Sequence, residues 1–160
     1  MAKENGEIYS ELLGKECDIS RRAYDPIEPC GRVLFLVDTV ADANGKPQVW
    51  PITGNFPAEQ FEASRVERCE DVLKFTNTSR GVKTTVEIRL PDMDTTAELW
   101  KITIENLTER SRQLKVVPYL EWVLNGGLHD RFHTQYARLY PEMEYVAGAN
   151  AILSWQKSTK

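Results

Sequence analysis

The sequence predicts an all-β protein built as an antiparallel sandwich, and three observations carry that prediction. Apolar residues recur at a period of two along much of the chain, branched and aromatic residues crowd the same stretches, and no long helix separates one such stretch from the next. Strand following strand fits an antiparallel sandwich better than an α/β fold.

The elements follow in order. Residues 1–16 are mixed polar, with Ile8, Leu12 and Leu13 spaced for one or two helical turns, and form an expected N-terminal polar extension. The sandwich is expected over residues 17–160. "RVLFLVD" is apolar from Val33 to Val37, as suits a strand covered on both faces. It runs into "TVADANGKP", where Asn44-Gly45 supplies left-handed positions for a tight hairpin turn. "QVWPITGNFPAEQFEA" carries Pro51 and Pro57 among aromatics, so it reads as an aromatic-lined loop or sheet edge. In "VLKFTNTSRGVKTTVEIRLP", Val82, Thr84, Val86, Ile88 and Leu90 alternate with Lys83, Thr85, Glu87 and Arg89, giving one buried and one wet face.

"LWKITIENLTERSRQLKVVPYLEWVL" contributes two strands. Trp100, Ile102 and Ile104 share a face of the first; Leu114, Val116, Leu120 and Trp122 share a face of the second. The short polar link "ENLTERSR" predicts that these two strands are antiparallel neighbours. A last strand candidate lies within "MEYVAGANAILSWQ". In "DRFHTQYARLY", Phe132, Tyr136, Leu139 and Tyr140 fit one helical face, yet Tyr136, Arg138 and Tyr140 also alternate as in a strand. Periodicity leaves both open.

Bulk properties narrow the function classes. A chain of 160 residues suffices for one domain. With 41% apolar and 28% charged residues it is composed like a soluble globular protein. A net charge of -4 supplies no field attracting phosphate backbones, so no nucleic-acid partner is expected. No segment resembles a signal peptide or reaches the roughly 18 continuous apolar residues of a membrane span, so no membrane partner is expected and the expected location is cytoplasmic. Cys17, Cys30 and Cys69 are odd in number and far apart, as expected of reduced thiols rather than a zinc knuckle. The sequons Asn77-Thr78-Ser79 and Asn106-Leu107-Thr108 read as polar turns.

"HDRFH", His129 to His133, resembles the metalloprotease pattern H-E-x-x-H with aspartate in place of glutamate. A zincin needs both histidines on one helical face, a base with the reach of glutamate and a third ligand. Here "NGG" precedes the pair, Asp130 is one methylene short, and the chain has no further histidine; no metal site is assigned. Glu121 lies among apolar residues in "PYLEWVL", where a raised carboxyl pKa could make a general acid. Its period places it opposite Leu120 and Trp122, which favours a polar or interdomain face. Asp92 and Asp94 in "PDMD" read as loop closers. Flat aromatic faces suit sugar rings; Trp100 and Trp122 read as core or interface, leaving Trp50, beside Pro51, as the ligand-facing aromatic. No catalytic residue and no cofactor are assigned.

The order of segments adds to these readings. "TTVEIRLPDMDTTAELWKITIENLTERSRQLKVVPYLEWVL" followed by "HDRF" resembles the N-terminal β-sandwich of inverting glycoside phosphorylases, the family of cellobiose phosphorylase, chitobiose phosphorylase and the phosphorylase-like region of cyclic β-1,2-glucan synthases. The resemblance rests on Pro91 and Asp92, Asn106 and Thr108, Arg110 and Arg112, Tyr119, Glu121 and Leu124, then His129 and Phe132. "CGRVLFLVD" and "QVWPI" match more loosely.

The resemblance implies a super-sandwich of the galactose-mutarotase-like type. It implies a parent glycosyltransferase or phosphorylase acting on β-glycosides, with inorganic phosphate as co-substrate and the chemistry housed in a separate (α/α)6 barrel. This chain is then a non-catalytic module supporting dimer assembly and active-site access, with an oligosaccharide or β-glycoside and the barrel domain as partners. Against the family's longer sandwich, strands are expected to be missing before Cys17 and after Lys157. Such an incomplete sandwich, whether an excised segment, a truncated homologue or part of a split protein, exposes sheet edges and predicts self-association. The site candidates are Trp50, Glu121, His129 and Phe132. The alternatives are a free-standing carbohydrate-binding module and a small metal-dependent hydrolase.

Overall fold

A computed structural model of the chain describes residues 8–12, 16–23, 31–40, 45–54, 61–69, 71–92 and 96–157. Leu13, Cys30, Asn44, Pro57 and Asp94 lie outside them. Among the described residues there are twelve strands and two short α-helices: β1 (Glu11–Leu12), β2 (Cys17–Ser20), β3 (Arg32–Asp38), β4 (Gln48–Pro51), β5 (Ala63–Cys69), β6 (Val72–Ser79), β7 (Val82–Arg89), β8 (Leu99–Asn106), β9 (Leu114–Leu120), β10 (Trp122–Asn125), α1 (Gly127–Phe132), α2 (Thr134–Ala137), β11 (Pro141–Val146) and β12 (Ala151–Gln156). The expected all-β class is what the chain adopts. No helix among the described residues is long and apolar enough to cross a membrane.

Two compact units share the chain, one from Ile8–Arg32 and Leu120–Lys160, the other from Val33–Tyr119. In the second unit β5-β6-β7-β8 form a four-stranded antiparallel sheet. On β7 the expected alternation holds: Val82, Thr84, Val86 and Ile88 are buried, while Leu90 falls beyond the strand and is exposed. The same face carries Phe75 and Asn77 of β6 and Trp100 and Ile102 of β8, placed opposite them by the register. A two-residue turn joins β6 to β7. Its Arg80 and Gly81 both have positive φ, at 55° and 70°, as the hairpin twist requires.

The sheet β4-β3-β9 completes this unit. Val33, Leu34, Leu36, Trp50 and Ile52 are buried, and Asn77 Nδ2 donates to the Ile52 carbonyl at 2.7 Å, joining the two sheets. From Leu34 to Asp38, β3 alternates buried with half-buried residues, so one face is fully covered and the other, with Phe35 and Val37, only in part. The expected hairpin partner of β3 is β4, with Asp38 paired to Gln48, while the Asn44-Gly45 turn lies partly outside the described residues.

Two sequence expectations are corrected here. β8 and β9 are not neighbours: β8 pairs with β7 and β9 lies beside β3. The link between them is drawn away because Arg110 and Arg112, at its end, donate to the fully buried Asp38 carboxylate at 2.8 and 3.0 Å. Asn77 does not occupy a turn; it is a buried member of β6. Asn106 does close one, since its Oδ1 accepts from the backbone and hydroxyl of Thr108.

In the first unit β1-β2-β10 form a small sheet and β11-β12 a hairpin with six paired positions. "MEYVAGANAILSWQ" thus holds parts of two strands around a 3-10 turn at Ala147–Ala149 rather than one. Residues 8–12 of the expected polar extension belong to this unit: Ile8 and Tyr9 are buried and β1 pairs with β2. The sheet begins before Cys17 because Ile8 and Tyr9 bring apolar area worth burying.

Candidate functional site

Three of the four candidate residues lie in the first unit, Glu121 just before β10 and His129 and Phe132 after it. Tyr119–Asn125 does not run as one strand; it breaks at Glu121 between β9 and β10. The break is pinned by backbone bonds, Glu121 N–H donating to Gly31 O at 2.7 Å and Arg21 N–H to Glu121 O at 3.0 Å. The chain then turns through Leu124, at φ 52°, into α1 and α2. The helical alternative for "DRFHTQYARLY" is the one realised, in two short pieces.

Asp130 is the inward residue of α1 and has no exposed surface. Arg21, also buried, donates from Nη2 to Asp130 Oδ1 at 2.7 Å, and its Nη1 lies 3.5 Å from Glu121. Arg138 donates from Nε to the same Glu121 oxygen at 2.9 Å. Charges therefore alternate along Asp130, Arg21, Glu121 and Arg138, fixing both short helices against the ends of β2 and β10. Burial pushes the Asp130 carboxyl up from its ordinary value and the nearby Arg21 guanidinium opposes that push.

This geometry decides several candidate roles. Glu121 is paired by two guanidiniums, so it is not a carboxylic acid isolated in an apolar pocket. His129 and His133 are exposed with ring centroids 5.3 Å apart, while Asp130 between them turns into the interior. The acidic residue of "HDRFH" thus cannot serve beside them as a base. Among the described residues no group of three His, Cys, Asp or Glu side chains is placed to hold a metal ion. Phe132 is 71% exposed, flanked along the chain by Leu128 and Leu139, each 72% exposed.

Trp50 belongs to the other unit and is corrected from open loop aromatic to core residue. It is 4% exposed, sits in β4 beside Leu36, and has the Arg80 guanidinium 5.5 Å from its ring centroid. Of the two alternatives for the segment around Pro51, the sheet edge is the one realised: β4 is an edge strand, where proline is tolerated.

Sequence reasoning missed a cleft of about 390 Å³ in the first unit, lined by Glu11, Glu16, Asp18, Arg22, Gly126, Gly127, Leu128 and Arg131. Its rigid wall is Arg22, which donates to both Asp18 oxygens at 2.8 and 2.6 Å and to Glu11 at 2.9 Å, and lies 4.5 Å above the Tyr9 ring. The Asp18 bonds push the Arg22 guanidinium up from its ordinary value, so it stays protonated. The available signal was the closeness of Asp18 and Arg22 in "CDISRR" to acidic Glu11, three charged groups around one short β meander.

A profile describing the glycosyl hydrolase 94 supersandwich domain matches residues 1–160. The chain belongs to that family. No curated protein matches it. As a glycosyl hydrolase 94 supersandwich domain it is a non-catalytic part of carbohydrate-processing enzymes. The residues that carry the sequence resemblance have separate structural duties in this domain. Asn106 and Thr108 close a turn, Arg110 and Arg112 hold Asp38, Glu121 joins the ion-pair chain, and His129 and Phe132 are displayed on α1.

Proposed function

We infer that this supersandwich domain supports the assembly of a glycosyl hydrolase 94 enzyme and helps to shape access to its active site. The observation carrying this reading is the two-sidedness of α1: Asp130 anchors its inner side while Leu128, His129 and Phe132 are displayed outward. Large apolar side chains held rigidly in the open are the signature of a surface made to be covered. In this reading a barrel domain of the same enzyme is the partner and carries the chemistry, phosphorolysis of a β-glycoside with inorganic phosphate, in the cytoplasm. A second copy of the domain is the expected partner for assembly.

Phe132→Ala and His129→Ala in the full-length enzyme should raise KM severalfold while leaving the domain's melting temperature within about 2 °C, the size of an ordinary surface effect. An unchanged KM counts against a part in access. Sedimentation equilibrium of the chain tests assembly, and a strictly monomeric chain removes that half of the reading.

A further inference from the structure

We propose that the cleft beside Arg22 is a binding site for a neutral polyhydroxylated ring, of the kind found in carbohydrates. Its volume of about 390 Å³ falls within the range of small-molecule sites. The chemistry of its described lining selects the ligand class. Glu11, Glu16 and Asp18 against Arg22 and Arg131 make three carboxylates to two guanidiniums, a formal surplus of one negative charge. An inorganic anion is repelled by that surplus, and a small cation meets two guanidiniums in the same space. Hydroxyl groups suit both kinds of wall, because each donates to a carboxylate and accepts from a guanidinium N–H.

The walls are also built to hold their shape. Arg22 is fixed by three charge-assisted hydrogen bonds and by the Tyr9 ring, so little side-chain entropy is lost when a ligand arrives. Glu16 and Arg131 are exposed at the opening, where they can reach hydroxyls at the ring edge, and the Leu128 side chain offers an apolar surface for C–H groups. Next to Glu16, Gly126 leaves the backbone bare: a Cβ there would stand 3.5 Å from the Glu16 carbonyl oxygen, in ordinary van der Waals contact. The missing methyl therefore keeps open the space between two of the lining segments. This reading rests on the cleft and on the carbohydrate-processing family; it shares Leu128 with the outward side of α1 but does not use His129 or Phe132, whose variants test the access reading separately.

Titration of the full chain with cellobiose, followed by saturation-transfer NMR and backbone shifts, tests it, with inorganic phosphate and calcium chloride as separate probes. Expected is saturable cellobiose binding with a dissociation constant of about 1 mM, with shifts at Glu11 and Gly126 to Leu128. Two variants locate it. Gly126→Ala, at φ -62°, adds a methyl without backbone strain, and the double variant Glu16→Gln/Arg131→Gln changes only exposed groups. Each should weaken cellobiose binding at least about tenfold with the melting temperature preserved. Absence of saturable cellobiose binding, affinity unaltered in both variants, or displacement of cellobiose by phosphate or calcium would each overturn the proposal.

Discussion

Arg21 Nη2 lies 2.7 Å from Asp130 Oδ1, with the two side chains 6% and 0% exposed. The second carboxylate oxygen of Asp130 and Nε of Arg21 are buried without a partner among the described residues. One contact therefore does most of the neutralising of Asp130, and removing Arg21 strands that carboxylate, whereas Arg21 keeps Glu121 at 3.5 Å when Asp130 is removed. Arg21→Met should lower the unfolding free energy by about 3–5 kcal/mol, whereas Arg21→Met/Asp130→Leu should recover much of the loss because no ion is left buried. Urea denaturation of both singles and the double closes the cycle; strictly additive values would mean the pair is not coupled.

The same residue predicts a pH dependence. Burial raises the Asp130 carboxyl above its ordinary 3.8 in the folded chain, with Arg21 the main opposing influence. Between 3.8 and the raised value the native state retains a proton that the unfolded state has released, so stability falls as pH rises through that window and levels off above it. Asp130→Asn cannot titrate and lacks this decline. The stability of the wild type minus that of the variant, measured from about pH 3.5 to about pH 7, should decrease with pH. A difference that stays flat or grows contradicts the assignment.

What the sequence made legible, and what it hid, follows from how far apart the deciding partners lie. The period of two in Val82, Thr84, Val86 and Ile88 was readable because one-sided burial writes itself into a single strand. β5 left no such record: "ASRVERC" is exposed along nearly its whole length, and Arg65, Glu67 and Arg68 protect an edge instead of marking a face. Loop length suggested that β8 and β9 pair, but the choice of sheet depends on Asp38, 72 residues from Arg110. Trp50 looked like a loop aromatic for a related reason, since its burial comes from the packing around β3 and not from its neighbours in sequence. Asp130 was visible only as a defective zincin base; its partner stands 109 residues away.

Asp38 provides a comparison between two arginines on one carboxylate oxygen. Arg112 is 5% exposed and also donates to the Arg80 carbonyl at 2.5 Å, while Arg110 is 47% exposed. Solvent screens the second contact far more than the first. Arg110→Met should therefore cost at most about 1 kcal/mol, and Arg112→Met about 3 kcal/mol or more, because it leaves a buried carboxylate short of its buried partner. Guanidinium denaturation would mask surface charge, so urea is the appropriate denaturant. Equal losses in the two variants would show that the depth of the arginine does not govern the clamp.

Gly81 combines two obstacles to any side chain. Its φ of 70° is costly for an L-residue, and a Cβ there would come within 2.5 Å of Thr108 Cγ2. Gly81→Ala should therefore destabilise the chain by about 1–3 kcal/mol, seen as a fall in melting temperature. Thr108→Ser deletes the obstructing methyl yet keeps the hydroxyl that bonds Asn106 Oδ1 at 2.7 Å, so it separates the two causes. The double variant Gly81→Ala/Thr108→Ser should melt above Gly81→Ala, with the remaining deficit due to the left-handed backbone. If the double melts with the single, the methyl is not the obstacle and the turn's backbone carries the whole cost. Hydrogen exchange adds the location: protection should be lost first at Ser79 and Val82, the last pair of the β6–β7 ladder, because the turn sets that register.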